Sequence, residues 1–393
     1  MPRITPRTAA TADPPVAAAK HWVLDRDFPP DRPLLDVSQA VPGYPPAAEL
    51  RAHLAVVVER VDSAAYAPAV GLPHVRAAIA RRTALAAGAR DAIGADQVAV
   101  TAGCNQAFCL AIDALTQPGD EVILPVPYYF NHDMWLRARG VRAISLAVDA
   151  TTMVPDPTVA AALVTDRTRA IVLVTPNNPV GVEYPPSTID AFGELASEHG
   201  IALVLDETYH DFRAADGPAH HLFARADWPE FLVQVSSFSK VFSLAGYRVG
   251  SLVASADFVA QVAKLADCMT ICAPRVAQEA VAFAIEHLDG WTSERRVEML
   301  ARVERCREAL APAPGGFALL AAGAFFAYVR HPFDTLDSTT VARALVDHAH
   351  VLTIPGACFG PDQEHALRLA FGNIDADALP ELAHRFAQME DPR

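Results

Sequence analysis

Between about residues 96 and 254, short apolar runs alternate with stretches of helical spacing, and several of the runs have an apolar centre without alternation. The strand candidates are QVAVT (97–101), EVILP (121–125), AIVLVT (170–175), IALVL (201–205), LVQVSS (232–237) and RVGSLVAS (248–255). A strand that is apolar on both faces must be covered on both faces. Helices between successive strands supply that cover, so the pattern predicts an α/β fold with three layers around a mostly parallel sheet. Beyond about residue 290 the pattern changes. A long charged helix, SERRVEMLARVERCREAL, leads through PAPGG to FFAYVR, a helix over 338–350, VLTI, ALRLAF and a last helix. That predicts a smaller α+β domain. The expected division is an arm over residues 1–45 that contributes to the small domain, a large domain over 46–289 and a small domain over 290–393.

The chain of 393 residues is long enough for both units, and 52% hydrophobic with 20% charged residues suits a well-packed enzyme. The net charge of −14 argues against nucleic acid as a partner, because phosphate binding needs a basic surface. No apolar run approaches the ~20 residues needed to cross a bilayer, so no membrane association is expected. The cysteines at 104, 109, 268, 272, 306 and 358 form no paired framework and read as reduced thiols of a cytoplasmic protein. Residues 1–20, rich in Ala, Thr and Pro, lack the apolar centre of a secretory signal and read as a disordered arm.

In open α/β sheets ligands bind beyond the carboxyl ends of the strands. The turn TAGCN after the first strand brings Gly103, whose backbone can approach a ligand closely, and the N–H groups of Gly103, Cys104 and Asn105 at a helix start. An ordinary turn would look the same. TPNNPVG places Asn178 past another strand end, again a plain turn if taken alone. IALVLDETYHDF closes an apolar strand with Asp206, where a carboxylate needs a cationic partner or a turn to cap; Tyr209 follows within reach. SSFSKVFSLAGYRVG sets Lys240 among apolar and small residues, with Ser237 three before and Arg248 eight after. A hydroxyl and a guanidinium so spaced suit a phosphate. An amine whose pKa is lowered by desolvation suits a Schiff base with a carbonyl. Together the motifs specify an aldehyde, an aromatic nitrogen that needs an anion, and a phosphate: pyridoxal 5′-phosphate. His210, His220 and His221 lack the spacing of a metal site, and no metal is expected.

From about Leu34 to Ala387 the chain resembles the class I/II aminotransferases of the fold type I pyridoxal-phosphate superfamily, on SSFSK…GYRVG, DETY, NNPVG and LRLAF in that family's arrangement. The resemblance implies that Lys240 carries the cofactor and shuttles a proton, that Asp206 holds the pyridine nitrogen protonated, and that Tyr209 and Asn178 bond the ring's phenolic oxygen. It gives the phosphate to Gly103, Cys104, Asn105, Ser237 and Arg248. Within PVPYYFNH it stacks Tyr129 on the ring, with Tyr128 as the competing register, and His132 supports the aspartate. Arg368 would clamp the substrate α-carboxylate, with Asn178 sharing it. Tyr66 would reach the phosphate of a neighbouring subunit in a homodimer with shared sites. Ala40 stands in the substrate seat where the family has glycine. The implied reaction moves an amino group from an L-amino acid to a 2-keto acid by a ping-pong mechanism; a lyase, cyclase or oxidase using the same cofactor residues is the alternative. A ligand-sensing regulator would need a DNA-binding domain, for which the residues before Leu34 leave no room.

Overall fold

The structure, a computed structural model, describes residues 2–90 and 92–391. The chain begins with two short helices, α1 (Pro6–Ala10) and α2 (Pro15–His21), which corrects the expectation of a disordered arm. Each starts on proline, tolerated there because the first N–H of a helix has no internal partner. Seven residues are too few to hold a helix in water. Packing holds α2: Val16, Ala19 and Trp22 join an apolar cluster with Phe130, Leu352, Ile354 and Phe359. These partners lie far along the chain, so composition over residues 1–20 gave no sign of them. Then β1 (Leu35–Asp36) follows.

Seven strands form the main sheet: β2 (Val98–Thr101), β3 (Glu121–Val126), β4 (Arg142–Ala147), β5 (Thr168–Val174), β6 (Ala202–Asp206), β7 (Leu232–Ser237) and β8 (Gly250–Val253). Their order is β2-β8-β7-β6-β5-β3-β4. All pairings are parallel except those of β8, which runs against both neighbours. Alternate side chains serve opposite layers, as the pleat requires. Leu203 and Leu205 meet the helices Pro73–Ala86, Pro186–His199 and Arg275–His287 on one face. Val204 and Val172 meet Cys104–Leu115 and Ala256–Thr270 on the other. The sheet is therefore buried on both faces, as the unbroken apolar runs demanded.

A second, antiparallel sheet follows from β9 (Ala318–Gly323), β10 (Phe326–Arg330), β12 (Ile354–Pro355) and β13 (Ala366–Ala370), in the order β12-β13-β10-β9. Between them β11 (Val351–Leu352) pairs in parallel with β1. The charged helix Asp289–Leu310 lays Met299, Val303, Cys306 and Leu310 on this core, a spacing of four, three and four residues that keeps one face. The two sheets' bodies also meet main chain to main chain. Gly181, at φ +80°, lies against Gly323 at the end of β9, and a methyl group on either would collide with the other's backbone.

Strand direction decides what reaches the site. The carboxyl ends of β2, β3, β5, β6 and β7 lie at one edge of the sheet. Because β8 runs the other way, its amino end lies there too, and Arg248 just before it arrives beside residues that follow the other strands. No helix among the described residues is long and apolar enough to cross a membrane.

Candidate active site

At that edge an open cup of about 550 Å³ is lined by Cys104, Asn105, Tyr129, Asn178, Asp206, Thr208, Tyr209, Ser237, Ser239, Lys240 and Arg248, with Val174. The size falls within the range of small-molecule sites. At one side, Gly103 precedes the helix Cys104–Leu115 at φ +88°, ψ 166°, and no side chain caps that helix. Its first N–H groups are left for a ligand, and the helix dipole favours an anion there. Only glycine fits: a Cβ at Gly103 would run into the guanidinium of Arg248. Arg248 itself lies in the left-handed region, at φ 54°, and bonds the carbonyls of Ala245 (3.0 Å) and Ala102 (3.3 Å). That backbone costs about 1–2 kcal/mol in a non-glycine residue. It aims the arginine over the free helix end. Ser237 caps the short helix Phe238–Val241 by accepting from the Ser239 N–H at 3.1 Å.

Lys240, in that short helix, is partly buried on the cup's wall. Burial, and then the charge of Arg248, lower its pKa to about 8. Asp206 is 4% exposed at the end of β6. One of its oxygens accepts from the Thr208 N–H at 2.9 Å, and the other lies 3.5 Å from Nε2 of His132. His132 is held flat against Phe108, ring centres 3.9 Å apart. Tyr209 is buried, and burial raises its hydroxyl pKa well above the usual value. Tyr129 hydrogen-bonds Asn105 through its hydroxyl (3.4 Å), and burial pushes it up to about 12. Tyr129 and not Tyr128 lines the cup; Tyr128 lies on the other side of the turn.

Arg368, on β13, reaches the cup from the second sheet and is 2% exposed. Its guanidinium meets Asn178 Oδ1 (3.3 Å) and the Ser38 carbonyl, above the rings of Phe359 (5.2 Å) and Phe326 (5.4 Å). Burial lowers its pKa to about 10. Its Nε has no partner, and no carboxylate among the described residues pairs with it.

The structure thus brings together all but two of the site residues singled out from sequence, Ala40 and Tyr66. Gly103 forms the back of the helix end and Arg368 adjoins the cup through Asn178. Ala40 is buried in the second sheet's core and is not among the lining residues. Tyr66 stands outside on the same chain, 76% exposed. The Cys104 thiol turns toward Asp206 and Thr208, and burial followed by the Asp206 charge raises its pKa well above the usual value. Thr208, Ser239 and Ser38 were missed. The first two each sit two places past a named residue, Asp206 and Ser237, and Ser38 contributes only a carbonyl, which residue type does not reveal. His220 and His210 flank buried Glu207, with Nδ1 of His210 at 3.3 Å.

An amine of low pKa, an anion seat at a helix start, and a carboxylate facing inward on one mixed sheet define an enzyme of the fold type I pyridoxal-phosphate class. The chain belongs to the aminotransferase class I and II family, whose profile matches residues 39–386. It is 31% identical over 323 residues to an arginine–pyruvate transaminase of Pseudomonas aeruginosa, covering 82% of this chain and 81% of that one. It is 27% identical over 386 residues to an aromatic aminotransferase of Arabidopsis thaliana, covering 96% and 94%. Among solved structures it resembles the aspartate aminotransferase of Thermus thermophilus with maleate, at 25% identity and a TM-score of 0.88 over 99% of this chain and all of that one. The family is one of pyridoxal-phosphate enzymes, and this protein is an aminotransferase.

Proposed function

We propose that the cup seats pyridoxal 5′-phosphate and that the enzyme moves the amino group of an L-amino acid to a 2-keto acid in two half-reactions. The uncapped helix start behind Gly103, overhung by Arg248 and flanked by Ser237, fits a phosphate. Asp206, braced by His132 and Thr208, fits a protonated ring nitrogen, and Tyr209 with Asn178 fits the ring's phenolic oxygen. Tyr129 supplies a stacking face. When bound, the cofactor supplies an electron sink conjugated to the substrate nitrogen.

The observation that carries the reading is the buried Arg368 with an unpartnered Nε. Such a charge is costly in the core and calls for an anion, and a planar guanidinium takes a carboxylate through two parallel bonds. Arg368 and Asn178 would hold the α-carboxylate, so that the α-hydrogen faces Lys240. Near its pKa of about 8 the Lys240 amine can take that proton and give it back. Asp206 would face the ring nitrogen, where positive charge must persist. The same carboxylate seat serves the amino acid and the keto acid, which share that group.

The division at residues 45/46 and 289/290 is the one we adopt for the domains. The six free thiols fit a cytoplasmic protein. A homodimer fits the exposure of Tyr66, Val58 and Val61, apolar side chains that a partner would cover. The relatives act on aromatic amino acids, on arginine and on aspartate by name, so the shared seat leaves the donor's side chain open. Screening amino acids against the cofactor-loaded protein tests the reading. A good donor should shift the absorption band to that of the aminated cofactor, with one keto acid per site and no oxygen uptake, and a keto acid should restore it. Ammonia release, or a need for oxygen, would refute it.

A further inference from the structure

Arg368 is positioned by two uncharged oxygens, and one of them leads away from the site. The Ser38 carbonyl that accepts from Arg368 belongs to a residue held by Asp36. Asp36 Oδ1 accepts from both the Ser38 N–H (3.0 Å) and the Ser38 hydroxyl (2.6 Å). Two bonds to one oxygen fix the turn and so the direction of the carbonyl. The second oxygen of Asp36 pairs with Lys20, on α2 of the arm. Asn373 secures the Asp36 carbonyl from the far side, at 2.9 Å. A continuous run of polar contacts therefore joins the arm to the buried guanidinium: Lys20, Asp36, Ser38, Arg368, Asn178.

We infer that Asp36 is a positioning residue for the carboxylate seat and that Lys20 couples docking of the arm to occupancy of that seat. This rests on the reading that Arg368 receives the substrate carboxylate. An arriving carboxylate competes with the Ser38 carbonyl for the guanidinium, so the fit depends on where Asp36 holds Ser38. The Lys20–Asp36 pair is partly exposed, with side chains 42% and 25% accessible, so its direct contribution to stability is small. Its effect is directional: it ties a helix too short to stand alone to the atom that sets the clamp. Coupling of this kind is reciprocal. If a docked arm improves carboxylate binding, a bound carboxylate must tighten the arm by the same factor.

The test uses the cofactor-loaded enzyme and two carboxylates without an amino group, maleate and 3-phenylpropanoate. Calorimetry should show binding weakened about two- to fivefold by Lys20→Met, the range of a partly exposed ion pair. KM for amino acid and keto acid should rise by the same factor with kcat unchanged, and Lys20→Arg should restore both. Asp36→Asn, which keeps an oxygen for Ser38, should match Lys20→Met. Asp36→Ala should weaken binding about tenfold or more, since Ser38 loses both bonds. Hydrogen exchange over residues 15–36 should slow on binding in the wild type and not in Lys20→Met. Unchanged affinity in Lys20→Met, a fall in kcat alone, or arm exchange indifferent to ligand would each overturn the inference. Arg368→Lys separates the two levels. If it leaves carboxylate binding intact, the site reading fails; if it abolishes binding while Lys20→Met does nothing, only the coupling fails.

Discussion

Lys240 is a cation in a place that disfavours cations, and the consequence is measurable without any substrate. Its folded pKa of about 8 lies below the usual value, so the unfolded chain binds the proton more readily across that interval. Stability of the cofactor-free protein should therefore rise as pH climbs from about 8 to about 10.4. Lys240→Met should stabilise it at pH 7, by up to about 3 kcal/mol, and the gain should shrink through that same window. Denaturant melts of both proteins at pH 7 and pH 10 decide it; a difference that does not change with pH removes the argument. The lysine was legible from sequence because its neighbours are apolar or small, and Asp206 because a charge ends an apolar strand. Thr208 and Ser239 were not, since the alternation that tells inside from outside stops where the strand stops. The Cys104 thiol pointing at Asp206 was hidden for the same reason: the sequence placed the residue at the helix start but not the direction of its side chain.

Among the elements, the turn from β2 into the helix Cys104–Leu115 carries the sharpest steric demand. Gly103→Ala would need a left-handed backbone from alanine and would displace Arg248. Cofactor affinity should fall about fivefold or more, the lower end of a backbone cost of about 1–2 kcal/mol, with the displaced Arg248 adding to it. Fluorescence titration of the cofactor-free variant measures it, and affinity within a factor of two of the wild type would contradict the assigned seat. Strands buried on both faces, such as β5 and β6, were legible because every residue in them had to be apolar. β4 was not: as the edge strand its residues are mostly half-exposed or exposed, and RAISLA reads as neither run nor clean alternation. Helix α2 was lost for a different reason, that it packs on residues more than a hundred positions away.

On the scale of the whole molecule the open question is what covers Tyr66. It is 76% exposed, and Val58 (57%) and Val61 (99%) in the segment before it are exposed too, which fits a covering partner. We expect a homodimer in sedimentation, with Tyr66 of each subunit completing the other's phosphate seat. Mixing inactive Lys240→Ala with an inactive Tyr66→Ala protein under subunit exchange should then recover activity, because one hybrid site per dimer regains both residues. A fully active monomer refutes the expectation. Sequence patterns gave the two bodies but not the path between them: the contact of Gly181 with Gly323 and the bond from Arg368 to the Ser38 carbonyl each join distant segments through main-chain atoms, whose partners residue type does not name.

The reversed direction of β8 also bears on how such a chain assembles itself. β7 and β8 are neighbours in sequence and in space, joined only by the segment 238–249, so their pairing closes a short loop. Every parallel pair in the sheet must instead wait for a crossover, and loops that long are slow to close. Lys240 and Arg248 ride on the short loop and Ser237 ends the strand that leads into it, whereas Asp206, Asn178 and Gly103 depend on the long ones. The chain can thus bring its amine and its phosphate-binding arginine into register early, while the carboxylate that will face them is still in transit. In kinetic terms the site is built from the lysine outward.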